Sequence, residues 1–366
     1  MNGIGIQTLK YRIKNGSRAV RRWVVPYAQS RIYASKFRPV LGYLYTEWKC
    51  NIDCHYCWAY DNTKKGMSIE TAKKSVDWLK STGCRVLALM GGEPLIRRSF
   101  ILELVEYATN QGLFVYLPTN GRLLTEEFID KIGKTGIAAI NLAIDCVKEI
   151  EGLPKALEHI EPQFEYLVKQ QEKYGYIIVL NINITSKNLA DVKELTEIAH
   201  EYGIATDYHI NEAPYMEQPH YKHKDTDTYI REEHWESVDQ VLDWVIERCR
   251  MGYPMVNVIE HLEDMKKFMR GQAVDWKCRA GHNSVFIKAD GTLSPCFPLS
   301  NANKDWGNIS EGFRLDHDEL KEQKKECTPH CLSTCQYNVS HVYQLGTRAL
   351  MWAFKHARMG GRIAHA

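Results

Sequence analysis

The sequence predicts an α/β protein, and three observations support this. Strand and helix patterns alternate over residues 41–214, cysteines and polar residues follow the strands, and a second cysteine-rich segment comes near the C-terminus. Six β–α units of this length imply parallel strands joined by right-handed crossovers. Such units close naturally into a partial (β/α)6 barrel, in which chemistry gathers at the carboxyl ends of the strands.

The six strands are predicted from short β-branched and aromatic runs. They are Leu41–Trp48, Arg85–Met90, Leu113–Pro118, Ala138–Ile144, Ile177–Ile184 and Thr206–Ile210. Helical patterns lie between them, and Ser68 is a candidate N-cap for the first helix, which Gly83 ends. The predicted helices cover residues 68–80, 99–110, 125–134, 157–173 and 189–202.

A different organisation follows the barrel. Helical patterns at 233–250 and 258–270 lead to a predicted hairpin, Ser284–Lys288 and Thr292–Cys296, which turns on Asp290-Gly291. A last helix is predicted at Gln344–Arg358. The expected units are a basic extension (1–40), the barrel (41–232), a helical connector (233–277), a cysteine-rich domain (278–340) and a basic C-terminal helix and tail (341–366).

The composition favours a cytoplasmic protein. The 366 residues are 44% hydrophobic and 25% charged, which suffices for one large core and an appended module. The eleven cysteines are sparse and clustered, whereas secreted disulfide scaffolds are short chains dense in cysteine. The sequence shows neither a signal peptide nor an apolar run of about 18 residues. We therefore expect the clustered cysteines to bind metal in a reducing compartment.

The net charge of +2 hides an asymmetry. Nine basic residues precede the first acid, Glu47, and four follow the last acid, Glu326. Basic ends of this kind attract phosphate on lipid headgroups, nucleic acid or an anionic substrate. No platform of interleaved aromatic and basic residues points to nucleic acid.

Both basic ends also carry apolar residues at helical spacing. Such basic amphipathic helices are typical of membrane-surface elements. The alternative is that both segments cover the barrel and its metal site while their charges remain solvated. The N-terminal residues concerned are Leu9, Ile13, Val20, Trp23 and Val24, and the C-terminal ones are Leu350, Trp352, Phe354, Lys355 and Arg358.

Two motifs follow the first two strands. Cys50, Cys54 and Cys57 stand in the spacing Cys-x3-Cys-x2-Cys, and three thiolates on one loop can hold three irons of a 4Fe–4S cluster and leave the fourth open. Structural zinc is the alternative, but it normally takes four ligands in two pairs. The second motif is Met90–Pro94, in which paired glycines allow close backbone approach and Glu93 can orient an ammonium group.

Together these motifs resemble those of the radical S-adenosylmethionine (SAM) enzymes. The resemblance implies a partial (β/α)6 TIM-like barrel that reductively cleaves SAM to a 5′-deoxyadenosyl radical, which abstracts a hydrogen atom from substrate. It implies a SAM-binding 4Fe–4S cluster on the three cysteines. It also implies a grip on the methionyl amine of SAM by the motif Gly91, Gly92, Glu93 and Pro94.

The resemblance suggests further positions around SAM. Tyr56 matches the aromatic residue that borders the adenine. Polar contacts to the ribose or the carboxylate are expected from Thr119, Asn120, Asn183 and Ser186. The alternative for these positions is ordinary turn and strand-end chemistry.

Asp145 and Cys146 end the fourth strand. Asp145 resembles the aspartate of a Ser-(Ile/Leu)-Asp-Gly element, which often faces the substrate, and Cys146 replaces the glycine. A thiol at the barrel mouth could return a hydrogen atom to a substrate radical, although most free cysteines are small buried hydrophobic residues. Cys84 and Cys249 are predicted to be packing residues.

The C-terminal cysteines resemble the Twitch and SPASM extensions, which hold auxiliary clusters. Five cysteines favour one auxiliary 4Fe–4S cluster, with structural zinc as the alternative. Cys278, Cys296 and Cys335 are the preferred ligands, with Cys327 or Cys331 as the fourth. His330 could compete as a ligand, but it is also typical of a surface turn.

The combined hypothesis is a radical SAM enzyme that acts on a lipid-like, phosphorylated or small biosynthetic intermediate. A reductant such as flavodoxin or ferredoxin is its expected partner, together with a peripheral contact at the membrane surface. The alternative is a peptide-modifying enzyme that uses the same radical. A non-enzymatic iron–sulfur electron carrier is disfavoured, because it gives Met90–Pro94 no role.

Overall fold

The six predicted strands form one parallel sheet in the computed structural model, which describes residues 9–32, 37–212, 214, 216–218, 220–223, 227–302 and 304–344. Each strand pairs with the next along the chain, from β1 to β6. The predicted partial (β/α)6 barrel is confirmed. The strands are β1 Leu41–Glu47, β2 Val86–Gly91, β3 Phe114–Thr119, β4 Ala139–Ala143, β5 Ile177–Ile184 and β6 Ala205–Ile210.

Helices lie between the strands as their periodicity predicts. Ser68 accepts a hydrogen bond from the backbone N–H of Thr71, and Thr125 accepts one from Phe128, so both act as N-caps. A π-helical turn, Val20–Val24, joins the first two helices. The helices are α1 Leu9–Ala19, α2 Val25–Ile32, α3 Ile69–Ser81, α4 Arg98–Asn110, α5 Glu126–Lys134, α6 Glu161–Tyr174, α7 Leu189–Glu201, α8 Trp235–Arg250, α9 Ile259–Phe268, α10 His317–Cys327 and α11 Thr334–Gln344.

The predicted hairpin of the cysteine-rich segment is present, and it belongs to the barrel sheet. Strand β7, Ser284–Ile287, runs parallel to β1, and β8, Leu293–Ser294, runs antiparallel to β7. A second small sheet pairs β9, Gly307–Asn308, with β10, Gly312–Phe313. The sequence did not predict α10 or α11. The predicted helix at Gln344–Arg358 lies outside the described residues, apart from Gln344.

Alternate strand residues face two different cores. On the outer face, Leu44, Leu180 and Tyr208 are buried against the helices. On the inner face a smaller core fills the barrel near β1, β2 and β7, and Tyr43, Tyr45 and Phe286 belong to it. The carboxyl ends of the strands therefore open above a filled, largely aromatic base.

The basic N-terminal helices contact the chain just before several strands. The hydroxyl of Tyr11 donates to the carbonyl of Tyr176 at 2.7 Å, and the guanidinium of Arg18 donates to that of Gly175 at 2.9 Å. The ring of Trp23 meets Phe114 edge-on, with centroids 5.9 Å apart. These contacts place α1 and α2 at the amino ends of the strands. The two helices therefore cover the barrel as the alternative predicted, but at the end opposite the cysteine loop.

The same helices keep an apolar face in solvent. Ile13 is 62% exposed and Ile32 is 75% exposed, which is unusual for large aliphatic side chains. Within the described residues, no helix is both long enough and apolar enough to cross a bilayer. The residues predicted to form the C-terminal amphipathic face, Leu350 to Arg358, lie outside the described part of the chain.

Candidate active site

The three cysteines of the first motif lie close together on the loop after β1. Cys54 is buried, whereas Cys50 and Cys57 are partly exposed. Burial raises the pKa of Cys50 to about 12, and the charge of Cys57 adds to the rise. Burial also raises the pKa of Cys54, and both other thiols contribute to that rise. Such thiols give up their protons only to a metal, so the three residues fit an iron–sulfur cluster.

The paired glycines of the second motif pack against the start of this loop. A Cβ atom on Gly91 would lie 2.4 Å from the carbonyl oxygen of Glu47, and one on Gly92 would lie 2.4 Å from that of Lys49. The backbone N–H of Gly92 donates to Glu47 at 2.8 Å, and that of Glu93 donates to Lys49 at 2.8 Å. The close approach visible here is therefore to the cysteine loop itself, which the glycines fix against β2.

The carboxylate of Glu93 is buried and accepts three hydrogen bonds from the protein. It accepts hydrogen bonds from the hydroxyl of Thr119 at 2.8 Å, the backbone N–H of Asn120 at 2.8 Å and that of Leu95 at 2.9 Å. Burial raises the pKa of Glu93, and these hydrogen bonds oppose the rise. Pro94 begins the short 3₁₀ turn that follows the carboxylate. Thr119 and Asn120 thus hold Glu93, which is a role the sequence did not predict for them.

Asp145 lies at the centre of a second polar network. One carboxylate oxygen accepts from the backbone N–H of Asn183 at 2.9 Å. The other accepts from the hydroxyl of Tyr56, and it lies 3.9 Å from the ammonium nitrogen of Lys155. Lys155 also donates to the hydroxyl of Tyr56 at 2.7 Å. The side chain of Asp145 is fully buried, so these partners replace water around its charge.

Lys155 joins this network to the cysteine loop. Burial acts against its ammonium charge, but Asp145 and the thiols of the loop together raise the pKa of Lys155 well above its ordinary value. The lysine therefore carries a positive charge next to the thiols. No sequence motif pointed to it, because it lies in an irregular segment between β4 and α6.

Asn183 and Ser186, the two remaining candidates for contacts to the ribose, form hydrogen bonds within the protein. The side-chain amide of Asn183 donates to the oxygen of Asn211 at 2.9 Å, and the hydroxyl of Ser186 donates to the carbonyl of Asp227 at 2.7 Å. Asn188, which the sequence did not single out, donates to the carbonyls of Asp145 and Asn183 at 2.6 and 2.8 Å. An asparagine just before a helix was the available signal for it.

Cys146 has the surroundings of a packing residue. It is fully buried in a small cluster with Leu153 and Ala156, and its thiol donates to the carbonyl of Leu153 at 3.2 Å. This geometry favours the packing alternative over hydrogen-atom return to a substrate. Cys84 and Cys249 are also buried, as predicted.

Four thiols of the C-terminal segment form a second group. Cys278, Cys327 and Cys331 are partly exposed, and Cys296 is buried at the end of the hairpin. Burial raises the pKa of Cys327 to about 11, and Cys278 contributes to the rise. Burial also raises the pKa of Cys331, with contributions from Cys296 and Cys278. Cys327 and Cys331 are therefore both close enough to Cys278 to affect its charge, whereas the sequence predicted that only one of them is a ligand.

The remaining tail candidates differ from these four. Cys335 falls in α11, but its side chain lies outside the part of the structure that is described. His330 is exposed in the turn before Cys331, which matches the surface alternative. Lys324 and Arg279 are cations next to this group, and Lys324 donates to the carbonyls of Cys278 and Ala280 at 3.1 and 2.6 Å. Across the described residues, no three His, Cys, Asp or Glu side chains form a site for a single metal ion.

Aromatic residues lie between the two groups of thiols. Trp58, directly after Cys57, stacks on Phe297, directly after Cys296, with ring centroids 4.7 Å apart and planes 8° apart. Tyr45 of β1 stacks on the same Phe297 at 5.5 Å. The two cysteine segments are therefore in direct contact through the neighbours of Cys57 and Cys296.

A partial barrel that gathers three thiols and a buried carboxylate at its carboxyl end defines an iron–sulfur enzyme. The family comparison agrees, because residues 49–213 match the model of the radical SAM superfamily. Residues 49–213 therefore form a radical SAM domain, and this family implies a 4Fe–4S cluster and SAM as cofactors.

Curated relatives are similar over different lengths. An "AdoMet-dependent heme synthase" of Methanosarcina barkeri is 26% identical over 318 residues, which cover 76% of this chain and 87% of that protein. A protein of the same name from Oleidesulfovibrio alaskensis is 28% identical over 169 residues. That match covers 44% of this chain and 42% of the relative, so the chain spans less than half of it.

Solved structures share the fold. SuiB of Streptococcus suis bound to S-adenosylmethionine has a TM-score of 0.58 at 15% identity, covering 80% of this chain and 67% of that one. The structure titled native anSMEcpe with bound AdoMet has a TM-score of 0.58 at 16% identity, covering 86% of this chain and 99% of that one. At these identities the likeness concerns the fold.

Proposed function

We propose that this radical SAM enzyme binds its cluster through Cys50, Cys54 and Cys57 and acts on a small, partly apolar biosynthetic intermediate. The observation that carries the site assignment is the meeting of three buried or half-buried thiols with the Glu93 and Asp145 networks at one end of the barrel. When bound, the cluster and SAM supply an electron and a 5′-deoxyadenosyl radical that takes a hydrogen atom from substrate.

Glu93 is proposed to bind the ammonium group of SAM. Its carboxylate is fixed by Thr119, Asn120 and Leu95, so it meets a cation without having to reorganise. Gly91 and Gly92 hold the backbone of this motif against the cysteine loop. Thr119 and Asn120 are thereby positioning residues for Glu93, rather than direct contacts to the ribose.

Asp145 and Lys155 are proposed to set the charge at the cysteine loop. The ammonium of Lys155 faces the thiols and offsets their negative charge when they are ligated. Asp145 keeps Lys155 charged and also orients the hydroxyl of Tyr56. Tyr56 then presents its ring beside the loop, where the adenine contact is proposed.

An auxiliary 4Fe–4S cluster is proposed on Cys278, Cys296, Cys327 and Cys331. Four thiols within electrostatic reach of one another support this ligand set. With four protein ligands such a cluster has no open iron, so it would accept or relay an electron. The stacked pair of Trp58 and Phe297 supports communication between the two segments, because each ring follows a proposed ligand.

The substrate class is proposed from the inner wall of the barrel. Tyr43, Tyr45 and Phe286 make one side of it aromatic. The relatives named AdoMet-dependent heme synthase lend support to a small-molecule biosynthetic substrate over a peptide. A reductant such as flavodoxin or ferredoxin would supply the electron.

A peripheral membrane contact through α1 and α2 completes the proposal. The buried side of these helices covers the barrel, and the exposed side still presents Ile13, Val25 and Ile32 among basic residues. Sedimentation with anionic lipid vesicles tests it. The double variant Ile13→Ser/Ile32→Ser should lose binding, whereas the control Ile96→Ser/Met251→Ser, exposed elsewhere, should keep it. Equal binding by both variants would contradict the contact.

The enzyme proposal is tested by 5′-deoxyadenosine formation. Anaerobically reconstituted protein is given SAM and dithionite, with lipid, peptide and small-molecule fractions added separately. We expect cleavage by the wild type, stimulation by the lipid or small-molecule fraction, and loss of all cleavage in Cys54→Ala. Cys84→Ser is the matched control, because Cys84 is similarly buried and its thiol bonds to backbone groups, among them the carbonyls of Val40 and Val86. Stimulation by the peptide fraction alone would overturn the proposed substrate class.

A further inference from the structure

The inner wall of the barrel has two chemically different sides. Ile178, Leu180 and Ile182 of β5, and Tyr208 of β6, pack in the outer core against the helices. Because strand residues alternate, the neighbouring positions face inward. Towards the carboxyl ends of β5 and β6 these positions are polar, whereas nearer the amino ends they are apolar. On β1, β2 and β7 most of them are aromatic or aliphatic. The polar inward residues are Asn181, Asn183, Asp207 and His209.

Strand pairing brings the polar residues together. Asn181 is paired with Asp207, and Asn183 with His209, across β5 and β6. The backbone N–H of Asn183 also donates to Asp145, so this side of the wall is continuous with the candidate active site. Asn181 and His209 are partly exposed although they lie in a covered sheet, which shows that the lumen is open to solvent here.

Asp207 is a buried carboxylate with an unsatisfied oxygen. The residue is 8% exposed, and its Oδ1 atom has no hydrogen-bond partner. Its Oδ2 atom lies 3.5 Å from Nε2 of His209, and the same nitrogen is 2.7 Å from the side-chain amide of Asn181. If the amide donates to that nitrogen, the imidazole has no proton there to give to Asp207. In the described strands β1–β7, none of the inward positions is Lys or Arg.

A buried carboxylate that lacks a donor is costly, and such groups persist where a ligand supplies the missing partner. We propose that Asp207, with His209 and Asn181 beside it, is a substrate subsite that binds a protonated amine. This inference rests on the proposed function and names a feature of its substrate. The aromatic side of the wall faces this subsite, so the substrate would carry its amine on an apolar body.

Asp207 is about 10 Å across the sheet from β4, since neighbouring strands lie about 4.8 Å apart. The strand that carries it is separated from Asp145 by β5 alone. Glu93 belongs to the loop after β2, which β3 and β4 separate from β5 and β6. The carboxylates of Asp207 and Glu93 are therefore far enough apart to bind two different ammonium groups. An amine held by Asp207 would thus anchor the substrate while leaving the SAM ammonium to Glu93.

The test uses the full chain, reconstituted anaerobically, with n-hexylamine as the probe and n-hexanol as its uncharged counterpart. Binding is followed by isothermal titration calorimetry for the wild type, Asp207→Asn and the surface control Asp77→Asn, whose exposed carboxylate pairs with Tyr107. We expect hexylamine to bind the wild type and Asp77→Asn at least tenfold more tightly than Asp207→Asn, and hexanol to bind all three alike. Equal hexylamine affinity for wild type and Asp207→Asn, including no binding to either, would overturn the proposal.

Thermal unfolding gives a second readout that does not depend on a ligand. If Asp207 serves to bind substrate, its carboxylate contributes no stability to the free protein. The Tm of Asp207→Asn should then equal or exceed that of the wild type. A structural carboxylate would give a lower Tm, and that result would also overturn the proposal. Failure of the proposed function would appear separately, as an absence of SAM cleavage by the wild type.

Discussion

The two groups of thiols differ in the lysine that each holds nearby. At the first group, Lys155 has a carboxylate partner, Asp145, and its pKa is raised. At the second, Lys324 donates to two backbone carbonyls, and burial lowers its pKa. The first group therefore has a cation that is paired with a carboxylate before any metal binds, whereas the described hydrogen bonds of Lys324 go to backbone carbonyls.

This difference teaches how the two sites are built. The first site is preorganised by a polar network within the barrel, which includes Asp145, Lys155 and Tyr56. The second site depends on a loop and α10 being brought against the hairpin. Its described polar contacts are mostly hydrogen bonds to backbone groups, such as those from Trp276 to the carbonyl of Cys331 and from Ser294 to that of Cys296. We expect the first site to tolerate metal loss better than the second, because its charges are already paired.

The largest predicted effect is the loss of iron from the second group of thiols when one ligand is removed. Cys327→Ala should lose about four irons per chain, because a 4Fe–4S cluster loses one of four ligands. Cys335→Ala should retain its iron if the four described thiols are the ligands. Iron and sulfide content and the visible spectrum measure both variants. The reverse pattern, with loss in Cys335→Ala and none in Cys327→Ala, would contradict this ligand set.

The next effect concerns the charge pair at the first site. Lys155→Met should lower the free energy of unfolding of the metal-free protein by about 3–5 kcal/mol, since it leaves Asp145 buried and unpaired. Lys148→Met, at an exposed position seven residues away, should change it by less than about 0.5 kcal/mol. Urea unfolding measures both, and equal values would show that the pair is not formed.

Glu93→Gln tests whether the first site binds SAM through the Glu93 carboxylate. We expect a rise in the KM for SAM of about 10–100-fold, since a charge-assisted hydrogen bond contributes about 1.5–3 kcal/mol. The iron content should not change, because Glu93 bonds to backbone and to Thr119 rather than to the thiols. Glu103→Gln, an exposed carboxylate paired with Lys73, is the control. An unchanged KM would remove Glu93 from SAM binding.

A smaller, pH-dependent effect is expected where the second segment meets the barrel. His261 is buried, stacks on Tyr337 and lies 3.4 Å from the carbonyl of Leu332. Burial lowers the pKa of His261 from 6.5 to about 3, so its imidazole is neutral in the folded protein. The stability that it contributes is present above pH 6.5 and is lost, by about 1.4 kcal/mol per pH unit, as the pH falls towards 3.

Unfolding of the metal-free protein between pH 7 and 5 measures this effect. The wild type should lose stability more steeply than His261→Asn, whereas His330→Asn, at an exposed position, should follow the wild type. Parallel curves for the wild type and His261→Asn would show that another group controls the acid response.

The smallest effect completes the comparison of the lysines. Lys324→Met should change the unfolding free energy of the metal-free protein by no more than about 1 kcal/mol, because relief of a buried ammonium offsets the two lost hydrogen bonds. After reconstitution the same variant should be less stable than the wild type, since the ligated thiols lose one of their two nearby cations. A loss as large as that of Lys155→Met in the metal-free protein would abolish the distinction between the sites.

Much of the fold could be predicted from periodicity. The bounds of β5 were predicted to the residue, and those of β1 within one residue, because β-branched and aromatic runs between turn signals mark buried parallel strands. The hairpin at Asp290-Gly291 was predicted, but its pairing with β1 was not. A strand's partner in a sheet depends on contacts between residues far apart in sequence, which periodicity does not record.

Helices α10 and α11 were missed for a related reason. Helix α10 is polar along most of its length and buries Leu320 alone among its described residues, so it has almost no apolar periodicity. Helix α11 begins inside the segment that was assigned to the cysteine-rich domain and ends beyond it. In both cases the helix is stabilised by packing against the main core, through Leu320 in α10 and Tyr337 in α11. The local sequence does not record such packing.

The sequence by itself determined the barrel, the three-thiol loop, the Gly-Gly-Glu-Pro motif and hence the radical SAM class, because each depends on local spacing. The tertiary structure decided that Thr119 and Asn120 hold Glu93 and that Lys155 pairs with Asp145. It also decided that Asp207 faces the lumen with an unpaired oxygen. Hydrogen bonds and ion pairs of this kind join residues on different strands, so they exist only once the sheet has formed.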